Sequence, residues 1–193
     1  MNEAQARRDI IAYCALLWQR RLTTGSSGNV SVLLDDGDIL VTPAATSLRA
    51  LEESQLVRVD RKGVPRNADQ RPTSELPLHL AAYDAAPQVR AVIHTHPTYC
   101  VVWGKRFRCV FPQDTVGASE TLGAVAWTPY RPAGSAELAQ LCSSEFARGI
   151  PTVIMERHGL STVGATLEGA FVLADLAEEA ARVAVLTHLT TPS

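Results

Sequence analysis

The chain of 193 residues has no long apolar run, no excess of charge of either sign and few aromatic side chains. No stretch approaches the ~18 consecutive apolar residues of a membrane-spanning helix, so none is expected. The 18 basic and 20 acidic residues give a net charge of −2, which lacks the basic footprint of a nucleic-acid-binding protein. A 46% hydrophobic content and this length instead predict one globular domain over residues 1–193.

Signals for export and for disulfide bonding are also missing. The apolar stretch near the N-terminus is interrupted by Gln19, Arg20 and Arg21 and has no small-residue cleavage site, unlike a secretory signal peptide. The four cysteines form no C-x-x-C pair, and a chain of this size needs no disulfide to fold. We therefore expect reduced, mostly buried thiols in a cytoplasmic protein.

Hydrophobic periodicity predicts helices and strands that do not alternate strictly. Helices are predicted over about 3–21, 75–85, 136–147 and 167–189. Ser74 is the candidate N-cap of the second helix, and Pro77 fits only within its first turn. Strands are predicted over 30–34, 39–42, 56–60, 89–94, 107–111, 125–128 and 152–156. This order favours an α+β or three-layer arrangement around a mixed or antiparallel sheet.

Three histidines follow predicted strands and are candidate metal ligands. His94 and His96 flank one residue at the end of an apolar strand, and residues i and i+2 of a strand point to the same face. His158 also follows a strand and precedes Gly159, which allows close backbone approach. Three protein ligands with one open position are typical of a catalytic zinc site. Cys100 is a possible fourth ligand, although the intervening Pro97 disturbs the geometry.

Glu75 lies at a predicted helix start beside Thr73 and Ser74. Hydroxyls and free N–H groups at a helix start suit an anion such as phosphate. A carboxylate beside a metal-bound carbonyl can move the proton of the adjacent carbon. Taken alone, Glu75 is equally consistent with a carboxylate that merely complements the helix dipole.

A second candidate anion site is the loop before the first strand, formed by Ser26, Ser27, Gly28 and Asn29. Small hydroxyl residues with glycine can cradle a phosphate with backbone amides, and they can equally form a plain turn. His79 lies one helical turn after Glu75, and we expect it to support the site or to belong to the core. His188 is expected at a helix end.

Five short motifs, in order, resemble the class II aldolase/adducin family and its sugar-phosphate branch, typified by L-fuculose-1-phosphate aldolase. The motifs are S-S-G-N-V-S at 26–31, L-V-T-P at 40–43, T-S-E at 73–75, H-T-H-P at 94–97 and R-H-G-L at 157–160. The resemblance covers residues 5–187. It implies an α/β fold with three α/β/α layers around a central, mostly antiparallel sheet. It also implies a homotetramer with active sites between neighbouring subunits.

The resemblance also implies roles for individual residues. His94, His96 and His158 would bind Zn²⁺, with Mn²⁺ or Co²⁺ as alternatives. Glu75 would complete the resting coordination and then act as general acid and base. The phosphate of a small-molecule sugar phosphate would be held by Ser26, Ser27, Gly28, Asn29, Thr73 and Ser74. The implied reaction is retro-aldol cleavage of a ketose 1-phosphate to dihydroxyacetone phosphate and an aldehyde.

The sequence departs from the family pattern at two places. Ala44-Ala45 stands where related aldolases carry Thr-Gly, which removes a hydroxyl and a glycine from the expected phosphate site. Residues 112–116 contain no tyrosine, although the family's proton donor to the aldehyde is expected there, and Tyr130 has no assigned role.

Other activities of the family remain alternatives. The same site supports 4-epimerases, a methylthioribulose-phosphate dehydratase and an oxo-acid phosphate decarboxylase. A non-enzymatic scaffold resembling adducin would be expected to have lost ligands, which argues against it here. A metal-dependent hydrolase has no support beyond the metal site.

Overall fold

A computed structural model describes residues 1–190 and contains a seven-stranded sheet. The strands are β1 (Asn29–Leu33), β2 (Ile39–Val41), β3 (Val57–Val59), β4 (Ala91–Thr95), β5 (Val125–Thr128), β6 (Thr152–Met155) and β7 (Gly159–Gly164). Their order across the sheet is β3-β2-β1-β4-β7-β6-β5. Every neighbouring pair is antiparallel except β5 and β6. The predicted central, mostly antiparallel sheet is therefore confirmed.

Five α-helices cover the two faces of the sheet. They are α1 (Glu3–Gln19), α2 (Leu76–Ala85), α3 (Thr98–Phe107), α4 (Ala136–Ala147) and α5 (Leu167–Thr190). Short 3-10 turns lie at Leu48–Ala50 and Glu53–Gln55, and a π-helical turn lies at Ala118–Leu122. Within residues 1–190, no helix combines the length and apolar character needed to cross a membrane.

The helices divide into two layers because successive strand residues point to opposite faces. Val30, Val32 and Ile93 pack into a core with α1, α3 and α5, where α5 contributes a stripe of buried alanines that lets it lie close to the sheet. Leu33 and Val92 pack into a second core with α2 and α4. The α/β/α three-layer architecture is confirmed. Polar residues such as Ser31 and His94 follow the alternation and belong to the α2/α4 face.

The strand predicted over 107–111 is wrong, because this part of the chain is the end of α3 and an extended segment. The sequence of α3, TYCVVWGKRF, is rich in residues that favour strands, so its helical character was not apparent. The Glu178 carboxylate on α5 accepts hydrogen bonds from the backbone N–H groups of Tyr99 and Cys100 at 3.0–3.1 Å. The Glu178 carboxylate thus caps the first turn of α3, whose backbone N–H groups have no partner within the helix. Arg108 ends the helix with a left-handed φ of 54°.

Two further details differ from the sequence expectation. Ser74 is not the N-cap of α2; Glu75 occupies that position, and no side chain caps the helix. Thr73 forms the preceding turn, because its carbonyl accepts from the Leu76 N–H at 3.2 Å and its hydroxyl accepts from the Glu75 N–H at 3.2 Å. Strand β7 was not predicted, although it pairs with both β4 and β6 and brings the turn containing His158 to the end of β4.

Candidate metal centre

The three candidate metal ligands come together at one end of the sheet. His94 is the fourth residue of β4, His96 follows the end of that strand, and His158 lies in the turn between β6 and β7. The ring centroids are 4.8, 4.8 and 5.1 Å apart in the three pairs. One ring nitrogen from each histidine lies within 4.8 Å of the others, an arrangement that could hold a metal ion.

The backbone determines which nitrogen of His94 is available. Its Nδ1 lies 3.0 Å from the Leu160 carbonyl oxygen, which can only accept, so Nδ1 carries the proton. Its Nε2 therefore carries a lone pair, which accepts a hydrogen bond from Nε2 of His96 at 2.9 Å. A carbonyl that fixes the tautomer in this way is typical of histidines that bind metals.

Burial keeps the cluster uncharged, which is the form that binds a metal. Desolvation, followed by the neighbouring His96 and His158, holds the pKa of His94 well below its usual range. Burial also lowers the pKa of His96, and burial together with His96 lowers the pKa of His158 to about 4. At neutral pH all three imidazoles are neutral, so the cluster carries no positive charge that would oppose a metal cation.

Gly159 is required by the close approach of β7 to the cluster. A Cβ at this position would lie 2.2 Å from the Thr95 carbonyl oxygen, 3.0 Å from a ring carbon of His96 and 3.2 Å from one of His94. Any side chain here would push the strand away from the histidines. The sequence expectation of close backbone approach beside His158 agrees with this geometry.

Glu75 lies beside the histidine cluster, with Oε1 3.7 Å from Nε2 of His158. Burial raises the pKa of Glu75, while a hydrogen bond from the Gly134 backbone lowers it by a smaller amount. A Cβ on Gly134 would lie 2.7 Å from the Ser74 carbonyl oxygen, so a side chain there would displace this loop from the carboxylate.

Two unpaired atoms indicate that the cluster is built for a further partner. Oε2 of Glu75 and Nδ1 of His158 are buried and form no hydrogen bond within the described part of the chain. Buried polar atoms without partners are rare in folded proteins and costly to maintain. Three neutral imidazoles beside one carboxylate are the ligand types that zinc binds, so these residues fit a divalent metal.

The loop of small residues lies next to the cluster, and its members have different environments. Ser26 is exposed, whereas Ser27 closes a turn by accepting from the Thr24 N–H at 3.0 Å. Gly28 has a φ of +82°, and a Cβ there would lie 2.5 Å from Thr23 Cγ2, so this position needs glycine. Asn29 is buried and pairs directly with His94 across β1 and β4.

The segments that contain Thr73 and Ala45 approach the same loop. The Thr73 N–H donates to the Thr42 carbonyl at 3.1 Å, and the Ala44 N–H donates to the Arg71 carbonyl at 3.0 Å. Thr73 is buried, and Ser74 is exposed. Ala45 has a φ of +54°, a left-handed conformation that glycine adopts more easily than alanine. Thr42 also bonds the backbone of Val30, so these segments join β1 next to the loop, and the role of the segments in binding phosphate stays a prediction.

Three other residues discussed from the sequence lie apart from the cluster. Cys100 is buried in the α1/α3/α5 core against Glu178 and is not among the clustered ligands. His188 lies in the last turn of α5 and contacts the Phe107 ring edge-on at 4.9 Å. Tyr130 is 45% exposed and lies at the rim, where the Arg157 guanidinium sits 4.8 Å from its ring centroid.

Sequence reasoning missed the buried contacts of His79. It lies on α2 and bonds Ser31 at 2.7 Å and Asn29 at 2.5 Å, while Ser31 also bonds Tyr83 at 2.7 Å. His79 therefore supports the loop of small residues and does not touch the Glu75 carboxylate. A serine on an otherwise apolar strand was the one available sign of this cluster.

Comparison with known proteins gives consistent results. Residues 8–185 match the family model of the class II aldolase and adducin N-terminal domain. An L-fuculose phosphate aldolase from Methanococcus vannielii is 34% identical over 185 residues, which cover 94% of this chain and 95% of the relative. A 3-oxo-tetronate 4-phosphate decarboxylase from Pectobacterium atrosepticum is 31% identical and covers 94% of this chain and 84% of the relative.

Solved structures agree with these relatives. YgbL from Klebsiella pneumoniae superposes on this chain with a TM-score of 0.90. It is described as an aldolase, epimerase or decarboxylase. It is 27% identical, and the match covers 99% of this chain and 93% of that chain. These relatives support a lyase that acts on a small molecule, and the family is metal-dependent. The chain belongs to the class II aldolase and adducin family, as its five motifs predicted.

Proposed function

We propose that this protein is a metal-dependent lyase that cleaves a ketose 1-phosphate, similar to L-fuculose 1-phosphate, into dihydroxyacetone phosphate and an aldehyde. The observation that carries the proposal is the cluster of one buried and two half-buried neutral histidines, with a carboxylate beside them that has one unpaired oxygen. The relatives named as L-fuculose phosphate aldolases support the same reaction.

His94, His96 and His158 would hold the metal, with Zn²⁺ proposed and Mn²⁺ or Co²⁺ as alternatives. When bound, the metal supplies a Lewis acid that polarises the ketone and stabilises negative charge on its oxygen. Each histidine contributes a neutral nitrogen, and the Leu160 carbonyl keeps His94 in the required tautomer. Glu75 occupies the position of a fourth, exchangeable ligand.

Glu75 would carry the proton that the reaction moves at carbon. Cleavage of the carbon–carbon bond removes the proton of the hydroxyl that becomes the aldehyde oxygen and leaves an electron pair on the carbon next to the ketone. This carbon then gains a proton, so the reaction moves one proton from oxygen to carbon with no net gain or loss. Burial raises the pKa of Glu75, which makes its carboxyl group a better proton acceptor than an exposed glutamate. Its unpaired Oε2 is the atom available to deliver that proton.

The substrate phosphate is proposed to lie against the small-residue loop and the start of α2. Ser26, Ser27, Asn29, Thr73 and Ser74 offer hydroxyls and an amide, and Gly28 permits the turn that brings them together. The hydroxyl groups and backbone N–H groups would replace the cluster of basic residues that the sequence lacks. The strained Ala45 lies beside these groups.

The proposal includes a homotetramer with active sites at the subunit interfaces. Its support is the family resemblance. The tyrosine that the resemblance implies from a neighbouring subunit is missing from residues 112–116 of every copy, so other groups would complete the aldehyde end of the site. A size measurement near four chains is expected, and a fully active monomer would contradict this part.

A second candidate is the decarboxylation of a 3-oxo-tetronate 4-phosphate to dihydroxyacetone phosphate and carbon dioxide. The 31% identical decarboxylase and the structural similarity to YgbL favour it. The chemistry also favours it, because carbon dioxide leaves without the hydroxyl proton transfer that aldehyde formation requires. A site without the family's tyrosine would support this reaction with Glu75 as proton donor.

One assay separates the two candidates. The metal-loaded full chain is incubated with ketose 1-phosphates and with 3-oxo-tetronate 4-phosphates, and the formation of triose phosphate, aldehyde and carbon dioxide is measured. Triose phosphate with an equal amount of aldehyde supports the aldolase, and triose phosphate with carbon dioxide supports the decarboxylase. Isomerised or dehydrated product without triose phosphate would refute both and favour an epimerase or dehydratase.

A further inference from the structure

A chain of four buried polar side chains connects α2 to the loop beside the metal centre. The Tyr83 hydroxyl lies 2.7 Å from Ser31 Oγ, which lies 2.7 Å from His79 Nδ1. His79 Nε2 lies 2.5 Å from Asn29 Oδ1. His79 and Ser31 are fully buried, and Tyr83 and Asn29 nearly so. We call these four residues the relay.

The number of available hydrogens determines which atoms donate and which accept in the relay. Burial lowers the pKa of His79 to about 3, so its ring carries one proton at neutral pH. If that proton is on Nε2, it bonds Asn29 Oδ1, Ser31 donates to Nδ1, and Tyr83 donates to Ser31. Every polar hydrogen of His79, Ser31 and Tyr83 then has one acceptor.

The other tautomer leaves one hydrogen over. With the proton on Nδ1 of His79, three hydrogens, from His79, Ser31 and Tyr83, would share the two bonds that join these residues. Within residues 1–190, neither hydroxyl has another hydrogen-bond partner. A buried hydroxyl hydrogen without an acceptor is costly, so the Nε2–H tautomer is favoured.

The direction of the relay determines how Asn29 faces the site. Because His79 donates to Oδ1 of Asn29, the amide nitrogen must point away from His79. That nitrogen forms no hydrogen bond to any described residue, and Asn29 retains 6% of its surface exposed. Asn29 also stands directly opposite His94 in the pairing of β1 with β4. Its two N–H donors are therefore free at the edge of the metal centre.

We propose that His79, Ser31 and Tyr83 are positioning residues that hold the Asn29 amide with its N–H donors toward the substrate. A group held in this way selects a ligand oxygen that only accepts, such as that of a phosphate dianion, and disfavours a hydroxyl or amine that must donate. This inference rests on the proposed function only for the identity of the ligand. The relay itself is a statement about this chain's own hydrogen bonds.

The first test measures the His79 tautomer without any ligand. Nitrogen-15 NMR of the ring distinguishes a protonated Nε2 from a protonated Nδ1 in the full-length wild-type protein. Protonated Nε2 is expected. A protonated Nδ1 would overturn the inference, whatever reaction the protein catalyses, because Asn29 would then turn its oxygen toward the substrate.

The second test compares the affinity of four metal-loaded proteins for dihydroxyacetone phosphate. His79→Gln keeps an N–H donor toward Asn29, so its dissociation constant should stay within about threefold of wild type. His79→Leu removes the donor and frees the amide to rotate, so the constant should rise roughly tenfold or more. Tyr83→Phe removes the hydroxyl that bonds Ser31 but leaves the Ser31–His79 and His79–Asn29 bonds, so its dissociation constant should rise by less than that of His79→Leu.

The pattern of losses decides the role of the relay. His79→Leu with wild-type affinity and the expected metal content would overturn the positioning role. If His79→Leu does not fold, Asn29→Asp replaces it, because this change keeps the acceptor for His79 and replaces the amide donors with a negatively charged oxygen that cannot donate to phosphate. Asn29→Asp should weaken binding by at least as much as His79→Leu, and unchanged affinity would also overturn the inference. A wild-type protein that binds no triose phosphate would instead refute the proposed function.

Discussion

The metal centre and the relay lie side by side on the α2/α4 face of the sheet, and they differ in how their polar atoms are paired. In the relay, every bond needed by His79, Ser31 and Tyr83 is made within the chain. In the metal centre, atoms of Glu75 and His158 are buried without partners. Burying polar groups costs desolvation free energy in both regions, but only in the relay do hydrogen bonds within the chain offset that cost.

This difference indicates which residues do chemistry and which hold them in place. The paired side chains of His79, Ser31 and Tyr83 fix their own orientation and leave only the Asn29 amide donors for a ligand. An incomplete group retains lone pairs for something that the chain does not supply. Because Asn29 and His94 are paired across β1 and β4, the closed network ends next to the open one. Each prediction below changes one side of this comparison and leaves the other intact.

The largest effect is expected from removing a ligand of the metal centre. His94→Ala should abolish bound divalent metal and activity, because it removes the nitrogen whose tautomer the Leu160 carbonyl fixes. Metal content measured by elemental analysis is the readout. His188→Ala, which changes an exposed histidine at the end of α5, is the control and should retain metal. Unchanged metal in His94→Ala would refute the assignment of the centre.

A smaller but still large effect is expected at Glu75. Glu75→Gln keeps the size of the side chain and removes its capacity to carry a proton, so kcat should fall by ~10²–10⁴ with metal still bound. Glu137→Gln is a matched control, because Glu137 is an exposed carboxylate in the first turn of α4. If Glu75 only complements a helix dipole, the two variants should behave alike, and a fully active Glu75→Gln would exclude the proton-transfer role.

The clustering of the three histidines was largely predictable from sequence, and the relay was not. His94 and His96 are two residues apart on a strand, so the period of the strand alone places them together. The relay joins residues 48–52 positions apart, and no local pattern reports which face of α2 meets β1. Helix α3 was missed for a similar reason, since Glu178 caps it from 78–79 residues away.

The third prediction concerns the pH dependence of stability, and it tests the relay. The folded pKa of His79, about 3, lies below its ordinary value of 6.5, so the unfolded chain binds this proton more readily. Stability should therefore fall as pH decreases from about 6.5 toward 3, by at most ~1.4 kcal/mol per pH unit from this group. His79→Gln removes this contribution. The unfolding free energy of the metal-free variant should therefore fall less on acidification than that of the metal-free wild-type protein.

Denaturant unfolding at several pH values between 7 and 4 gives the required free energies. The metal-ligating histidines are present in both proteins and shift in the same direction, so the difference between the two curves isolates His79. Parallel curves would show that His79 is not held as a neutral donor, and would contradict the closed state of the relay.

The smallest effect is expected at Ala45, in the backbone segment that is proposed to lie near the substrate phosphate. Ala45 has a φ of +54°, which costs a non-glycine residue about 1 kcal/mol, and the family carries glycine there. Ala45→Gly relieves this strain but gives the unfolded chain more freedom, so the net change in unfolding free energy should stay within ~1 kcal/mol.

The affinity of Ala45→Gly for dihydroxyacetone phosphate should rise a few-fold, because glycine allows the backbone to approach the phosphate more closely. Ala44→Gly, at a neighbouring position without a positive φ, is the matched control and should lower stability without improving binding. Equal affinity in both variants would show that the loop carrying Ala45 does not reach the substrate, and that the phosphate is held by the Asn29 side of the site alone.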